Sequence, residues 1–278
     1  MSADSTTSRL GGLAWFSLAG LCCLIAISLL ASLLPLADPL RQDAFHTLAA
    51  PSLGHLLGTD GHGRDILSRV IYGSQVSLFT SISSIGMAAV LGTILGITAG
   101  YHNNWVEVVI MRVSDSLMAL PSLILGIAIM AILGPGLDKV IFCIAFVMTP
   151  RFIRIAYGAT MVVRPQEFIE AARAISAPFG RIFRVHILPN IVSEISVVAA
   201  LWVGTAIQIE ASLSFIGIGV PPPSPTWGNM IREGLDYLSM APWIALAPSV
   251  AIFCTIILFN LAGDSIRDII DPKHYRRA

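Results

Sequence analysis

Six apolar stretches, roughly residues 13–34, 76–100, 107–133, 139–163, 192–213 and 242–263, constrain this chain more than any other feature of its sequence. Each approaches or exceeds the about 20 residues that carry an α-helix across a bilayer. Only 12% of the 278 residues are charged, about half the share in a soluble domain, and mean hydropathy is +0.78. In lipid, backbone polar groups must be satisfied within a helix or around a closed barrel. The alternation of a barrel is absent. The expected fold is an all-α integral membrane protein with six transmembrane helices in one domain over 13–273. A short N-terminal segment, 1–12, and a tail, 274–278, flank it. The first stretch is longer than a signal peptide's apolar region of about 7–15 residues and is read as an uncleaved span.

The distribution of Lys and Arg sets the expected orientation. With an even number of spans both termini share a side. Placing them inside puts Arg9, Arg112, Arg151, Arg154, Arg164, Arg173, Arg181, Arg184, Arg267, Lys273, Arg276 and Arg277 on the inner side. Only Arg41, Arg64, Arg69, Lys139 and Arg232 fall outside. The expectation is N-in, C-in, with 35–75 and 214–241 as external segments. Tyr101-His102-Asn103-Asn104 reads as a tight turn between the second and third spans, and Gly134-Pro135-Gly136 breaks any helix between the third and fourth.

One polar segment, 164–190, interrupts this apolar chain between its fourth and fifth spans. Pro165 suits the first turn of a helix, and Glu167 and Glu170 suit its positive end, so a short helix is expected over 167–175. Ala171, Ala172 and Ala174 are small enough for another surface to approach closely. Pro178 ends this helix, and a second short one over about 179–187 presents Phe179, Ile182, Phe183 and Ile187 on one face. Leu188-Pro189-Asn190 then re-enters the membrane. Two readings stand: a helical hook offered to a partner, or an interfacial amphipathic loop that snorkels its arginines.

Zero net charge and the absence of a basic block argue against nucleic acid as a partner. Cys22, Cys23, Cys143 and Cys254 all lie in apolar runs, as small hydrophobes do. His46, His55 and His62 lack metal-ligand spacing, so no metal is expected. There is no GxxxxGK[ST] loop, so the chain cannot cradle ATP phosphates itself. No HExxH or comparable constellation supports an intramembrane hydrolase, and no internal repeat supports an autonomous transporter. Ionisable residues within spans are candidate functional groups. Asp115 can pair with Arg112 one helical turn away. Glu210, with Gln208 nearby, could line a pathway or gate, or meet a partner chain. Pro121 and Pro150 should kink their helices. Asp60 can cap a turn, and 65–72 reads as an external amphipathic helix at the bilayer surface.

Glu170-Ala171-Ala172, followed by Ser176 and Leu188-Pro189, resembles the EAA loop of bacterial ABC-importer permeases. Ser176 departs from the family's usual Gly, and His186 from its Ile. Leu57-Gly58-Thr59-Asp60 with Gly63 to Arg69 resembles the dipeptide/oligopeptide/nickel permeases of the C-subunit type. So do Met111-Arg112, Asp115 and Pro121, then Ser212 to Gly219 with Pro222, Pro225, Trp227 and Gly228, and finally Asn260-Leu261, Gly263-Asp264, Arg267-Asp268 and Asp271-Pro272-Lys273. The resemblance spans about residues 54–273 and implies a type I ABC-importer permease in a bacterial inner membrane. It implies that Glu167, Glu170, Ala171, Ala172, Arg173, Ser176, Leu188 and Pro189 form the coupling loop that sits in a groove of a cytoplasmic ATPase. Implied partners are a second, homologous permease in a heterodimer, two ABC ATPases that bind ATP and Mg, and an external solute-binding protein. No cofactor is expected on this chain. Asp115, Gln208, Glu210 and Trp227 become candidates for the pathway or gate, with Trp227 and the Pro-rich 221–225 run as a rigid external cap. A di- or oligopeptide is the implied substrate, with nickel chelates, glutathione and other small solutes as alternatives.

Overall fold

The computed structural model describes residues 4–102 and 104–270. The expected tail 274–278, the closing Asp271-Pro272-Lys273 and Asn103 of the 101–104 turn lie outside them. Regular structure among the described residues is helical, apart from one isolated bridge between Thr59 and Asp65. The order is α1 (Asp4–Leu29), α2 (Ile66–His102), α3 (Trp105–Met118), α4 (Ser122–Leu133), α5 (Leu137–Val163), α6 (Glu167–Ala174), α7 (Phe179–Arg181), α8 (Leu188–Ile216), α9 (Trp227–Leu235) and α10 (Trp243–Ile270).

Four helical stretches are long and apolar enough to cross a membrane: Ile66–His102, Leu137–Val163, Phe179–Ile216 and Trp243–Ser265. Trp15–Leu29 is a shorter apolar helix. The expected third span is not a single kinked rod. It divides into α3 and α4, which meet at 96°. Pro121 has no N–H to continue the α3 ladder and disfavours helical backbone in the residue before it. The chain therefore leaves one helix at Ala119 and starts another at Ser122.

Two expected boundaries disappear. The amphipathic 65–72 segment is not a separate surface helix, because α2 runs unbroken for 37 residues, about 55 Å at 1.5 Å per residue. Asp65 supplies its cap, accepting from the Ser68 N–H at 2.8 Å. At the other end of the molecule, 179–187 is not a separate helix before re-entry. It joins α8 through a π-helical turn, Ile182–Ile187, in which the Leu188 N–H bonds the Phe183 carbonyl. The wider turn immediately precedes Pro189, whose ring would crowd the preceding carbonyl of a regular α-helix.

α2 packs most extensively against α5. Gly92, Gly96 and Gly100 place a strip of bare backbone on one face of α2 at four-residue spacing. A Cβ on Gly92 would sit 2.3 Å from the Phe152 Cβ, one on Gly96 2.5 Å from the Ile153 carbonyl oxygen, and one on Gly100 2.9 Å from Thr160. Small residues allow such approach where dispersion, rather than hydrophobic transfer, holds helices together in lipid. From within this seam the Phe152 ring packs edge-to-face on Trp202 of α8, ring centroids 4.8 Å apart. Fully buried Ile85, Ile144 and Met148 continue the core.

Arg151 and Arg154 lie within α5, inside the apolar stretch 139–163 itself.

Gly96→Val should unseat α2 from α5 and destabilise the protein by about 1–3 kcal/mol, the usual cost of overpacking. Thermal unfolding of the purified protein checks this, with Gly86→Ala, whose added Cβ meets nothing within 4 Å, expected to behave as wild type.

Candidate functional site

The hook is a short helix with an inward and an outward face. Ile169 and Ala172 of α6 are buried, whereas Glu167, Glu170, Ala171 and Ala174 are exposed. Ala172 therefore faces this chain rather than an incoming partner. The outward face carries two carboxylates near the start of the helix and small side chains beyond them. Exposed Phe168 and Ile175 flank it.

The turn after α6 follows a path that usually demands glycine. Ser176 has φ +56°. Its N–H bonds the Arg173 carbonyl at 2.8 Å, and the Ala177 N–H bonds the Ala172 carbonyl at 3.0 Å. This is the double hydrogen bond of a Schellman cap, with the left-handed residue at the position where Gly is preferred. Ser176 thus occupies the left-handed position of the cap and bears its strain.

Aromatic contacts fasten the hook to the end of α2. The Arg173 guanidinium lies 4.6 Å from the centre of the Tyr101 ring, within cation–π range. Arg173 is therefore engaged by its own chain. Phe179 packs on Tyr101 at 4.9 Å and on His102 at 4.8 Å, and Arg164 donates to the Gly100 carbonyl at 3.4 Å. His186, the second departure in the loop, lies 6.1 Å from Phe168 of the hook helix. Leu188 is part-buried and Pro189 exposed at the start of α8. The sequence reading missed Tyr101 and His102 because they sit in what looked like a connecting turn. They directly follow Gly100, five and six residues after Gly96, and that continuation of the glycine strip was the available signal.

At the opposite end of α2 a polar cap is assembled around buried charge. Arg64 donates from Nε to Asp60 Oδ2 at 2.6 Å and from Nη2 to Glu233 Oε2 at 2.7 Å. Arg69, 1% exposed, donates to the same Glu233 oxygen at 3.0 Å and stands 3.5 Å from Asp60. Asp60 also accepts from the His62 and Arg64 N–H groups, so it does cap a turn. Trp227, 1% exposed, donates from Nε1 to the Val70 carbonyl at 2.9 Å. It pins α9 to the first turns of α2 and is a core residue of the cap, not a surface for an external protein.

The other expected pathway residues also take different places. Asp115 accepts from Arg154 of α5 at 2.5 Å, and no Arg112–Asp115 ion pair forms among the described residues. Glu210 is completely buried, accepting from Ser77 at 2.9 Å and Ser214 at 2.8 Å. It ties α8 to α2 and reaches no open surface of this chain. Gln208 is exposed on α8. These four residues form no common hydrogen-bonded cluster among the described residues.

Ser176→Gly should stabilise the hook by about 1 kcal/mol, since a left-handed non-glycine residue costs roughly 1–2 kcal/mol. A higher melting temperature, with the hook retained, is the expected result; a lower one would show that the Ser side chain matters more than its backbone.

Residues 92–274 match the family described as binding-protein-dependent transport system inner membrane component. The chain is 43% identical over 223 residues to the glutathione transport system permease protein GsiD of Pectobacterium atrosepticum, covering 80% of this chain and 74% of that one. It is 40% identical over 249 residues to the dipeptide transport system permease protein DppC of Alkalihalophilus pseudofirmus, covering 90% and 82%. Its fold superposes on a chain from the inward-facing MetNI methionine ABC transporter with a TM-score of 0.57 at 19% identity, covering 74% of this chain and 98% of that one. The profile match extends from the glycine seam through the hook to the end of α10, and on that ground the chain belongs to the binding-protein-dependent transport system inner membrane component family.

Proposed function

We propose that this protein is a permease subunit of an ATP-driven importer of di- or oligopeptides, with glutathione as the alternative cargo. Its relatives carry both names, and the two cargoes share peptide bonds and free carboxylates. The observation that carries the mechanism is the hook: an ordered helix whose outward face offers Glu167, Glu170 and Ala171 while its inward face is locked to α2. A loop that only snorkels its arginines has no need of that lock.

In this reading the six helical stretches cross a bacterial inner membrane, N-in and C-in, with the bent α3–α4 pair as the third crossing. The hook is then cytoplasmic and meets one of two ABC ATPases, which bind ATP and Mg and perform the hydrolysis. A second, homologous permease completes the pathway, and an external solute-binding protein delivers the cargo at the side of the α9 cap. ATP-driven closure of the ATPases displaces α6. Arg173 and Phe179 pass that displacement to Tyr101 and His102, and so to the end of α2. Because α2 is one continuous helix seated on α5, the movement is transmitted along its length instead of being absorbed in a loop. The pathway alternates between inward and outward access, and hydrolysis resets it.

Glu170→Lys reverses charge on the outward face without touching the buried Ile169 and Ala172. Membrane insertion should be retained while the ATPase subunits no longer co-purify and ATP-dependent uptake is lost. Normal ATPase association and uptake in that variant would remove the hook from the coupling role.

A further inference from the structure

Arg151 is a permanent charge near the midpoint of a candidate span, and the described residues give it no carboxylate. Its neighbours are neutral. Nη2 donates to the Ser122 hydroxyl at 2.9 Å, Nη1 lies 3.7 Å from the Met148 sulfur, and the guanidinium stands 6.0 Å from the Trp202 ring centre. Arg154, one helical turn further along α5, has Asp115 as its counter-charge at 2.5 Å; the salt bridges of the described residues include none for Arg151. Arg151 lies beside a cavity of about 50 Å³ at the α3–α4 break, walled by Leu117, Leu120, Leu125 and Val147, with Ser122 as its other polar member. An ionised residue at this depth is costly and marks an ion or substrate path by default. A guanidinium also matches the planar geometry of a carboxylate.

We infer that Arg151, with Ser122, forms an intramembrane binding point for the carboxylate of the transported solute at the α3–α4 break. This rests on the importer reading above and deepens it. A peptide carries its C-terminal carboxylate, and glutathione carries two, into the low-dielectric middle of the protein, where an unpaired anion is strongly disfavoured. Arg151 supplies the missing charge, and the moving solute supplies the counter-ion that the described residues do not provide. Trp202 holds the guanidinium from behind. Arg154 does not serve the same purpose, because Asp115 already occupies it.

The test uses the full complex with its partner subunits, reconstituted in liposomes, with labelled dialanine and glutathione as probes. Three variants separate the readings. Arg151→Gln removes the charge. Arg151→Lys keeps it without the planar fork. Ser122→Asp places a fixed carboxylate against Arg151 and occupies it. Expected are assembled complexes in which Arg151→Gln and Ser122→Asp both lose about tenfold to a hundredfold in uptake, the scale of one charge-assisted hydrogen bond. Arg151→Lys should fall between these and wild type. If Arg151 only needs a counter-charge for stability, Ser122→Asp transports as well as wild type, and the inference is overturned. If Ser122→Asp instead expels the second permease, the counter-ion belongs to that subunit and the inference is likewise overturned. Should Arg151→Gln fail to assemble, Ser122→Asp decides alone. A wild-type complex that moves neither probe overturns the peptide reading beneath the inference, a result distinct from wild-type uptake that survives in Ser122→Asp.

Discussion

The close approach of α2 and α5 along Gly92, Gly96 and Gly100 is the contact on which the rest of the molecule depends. The Cβ positions that these glycines leave empty are filled by the backbone and side chains of Thr149 to Thr160. Helices in lipid gain little from hiding apolar surface from one another, so their association rests on fitted contact and on polar groups between them. Here the fitted contact is the glycine strip. The polar ties are the Glu210–Ser77 hydrogen bond between α8 and α2 and the Ser84–Ile141 hydrogen bond between α2 and α5. Seated in this way, α2 serves as a common strut for both ends of the protein.

Each end attaches to that strut by a different kind of interaction. At the hook, aromatic rings and one guanidinium hold α6 and α7 against Tyr101 and His102. Such contacts are individually worth about 0.5–2 kcal/mol and allow small sliding. At the cap, Arg64 and Arg69 share Asp60 and Glu233, and Trp227 donates into the backbone at Val70. Removing one partner from a buried charge cluster costs about 3–5 kcal/mol, so this end resists local rearrangement. A stiff cap and a more compliant hook on one continuous helix is an arrangement suited to moving a bundle as a body.

Four spans, and a fifth where the bent α3–α4 pair counts as one, were legible in the sequence because a helix of about 20 apolar residues matches the thickness of a bilayer's hydrocarbon core. The hook was legible because a polar, Pro-bounded segment stood alone among them. What the sequence concealed was long-range. Asp115 had a plausible partner three residues away in Arg112, yet its partner is Arg154, brought across by the packing of α3 on α5. Polar residues at 65–72 and 179–187 looked like boundaries, but helices run through both positions. Trp227 reads in the sequence as part of a rigid external cap and a gate candidate, and its burial and Nε1 bond to Val70 show that it is interior. Arg151 falls inside the apolar stretch 139–163 in the sequence, and only the structure shows that no carboxylate among the described residues pairs with it. The four-residue glycine spacing, by contrast, was present in the sequence and could have located the α2 contact face.

The proposed coupling role of the hook requires that motion entering at α6 reach the bundle through Tyr101. The most direct test is solute transported per ATP hydrolysed in the reconstituted complex, comparing wild type with Tyr101→Ala. The ATPases should still associate and still hydrolyse ATP, while uptake per ATP falls sharply because Arg173 and Phe179 have lost their contact on α2. An unchanged ratio in a complex that binds its ATPases normally would contradict this coupling route, and would require the force to travel from the hook into α8 alone.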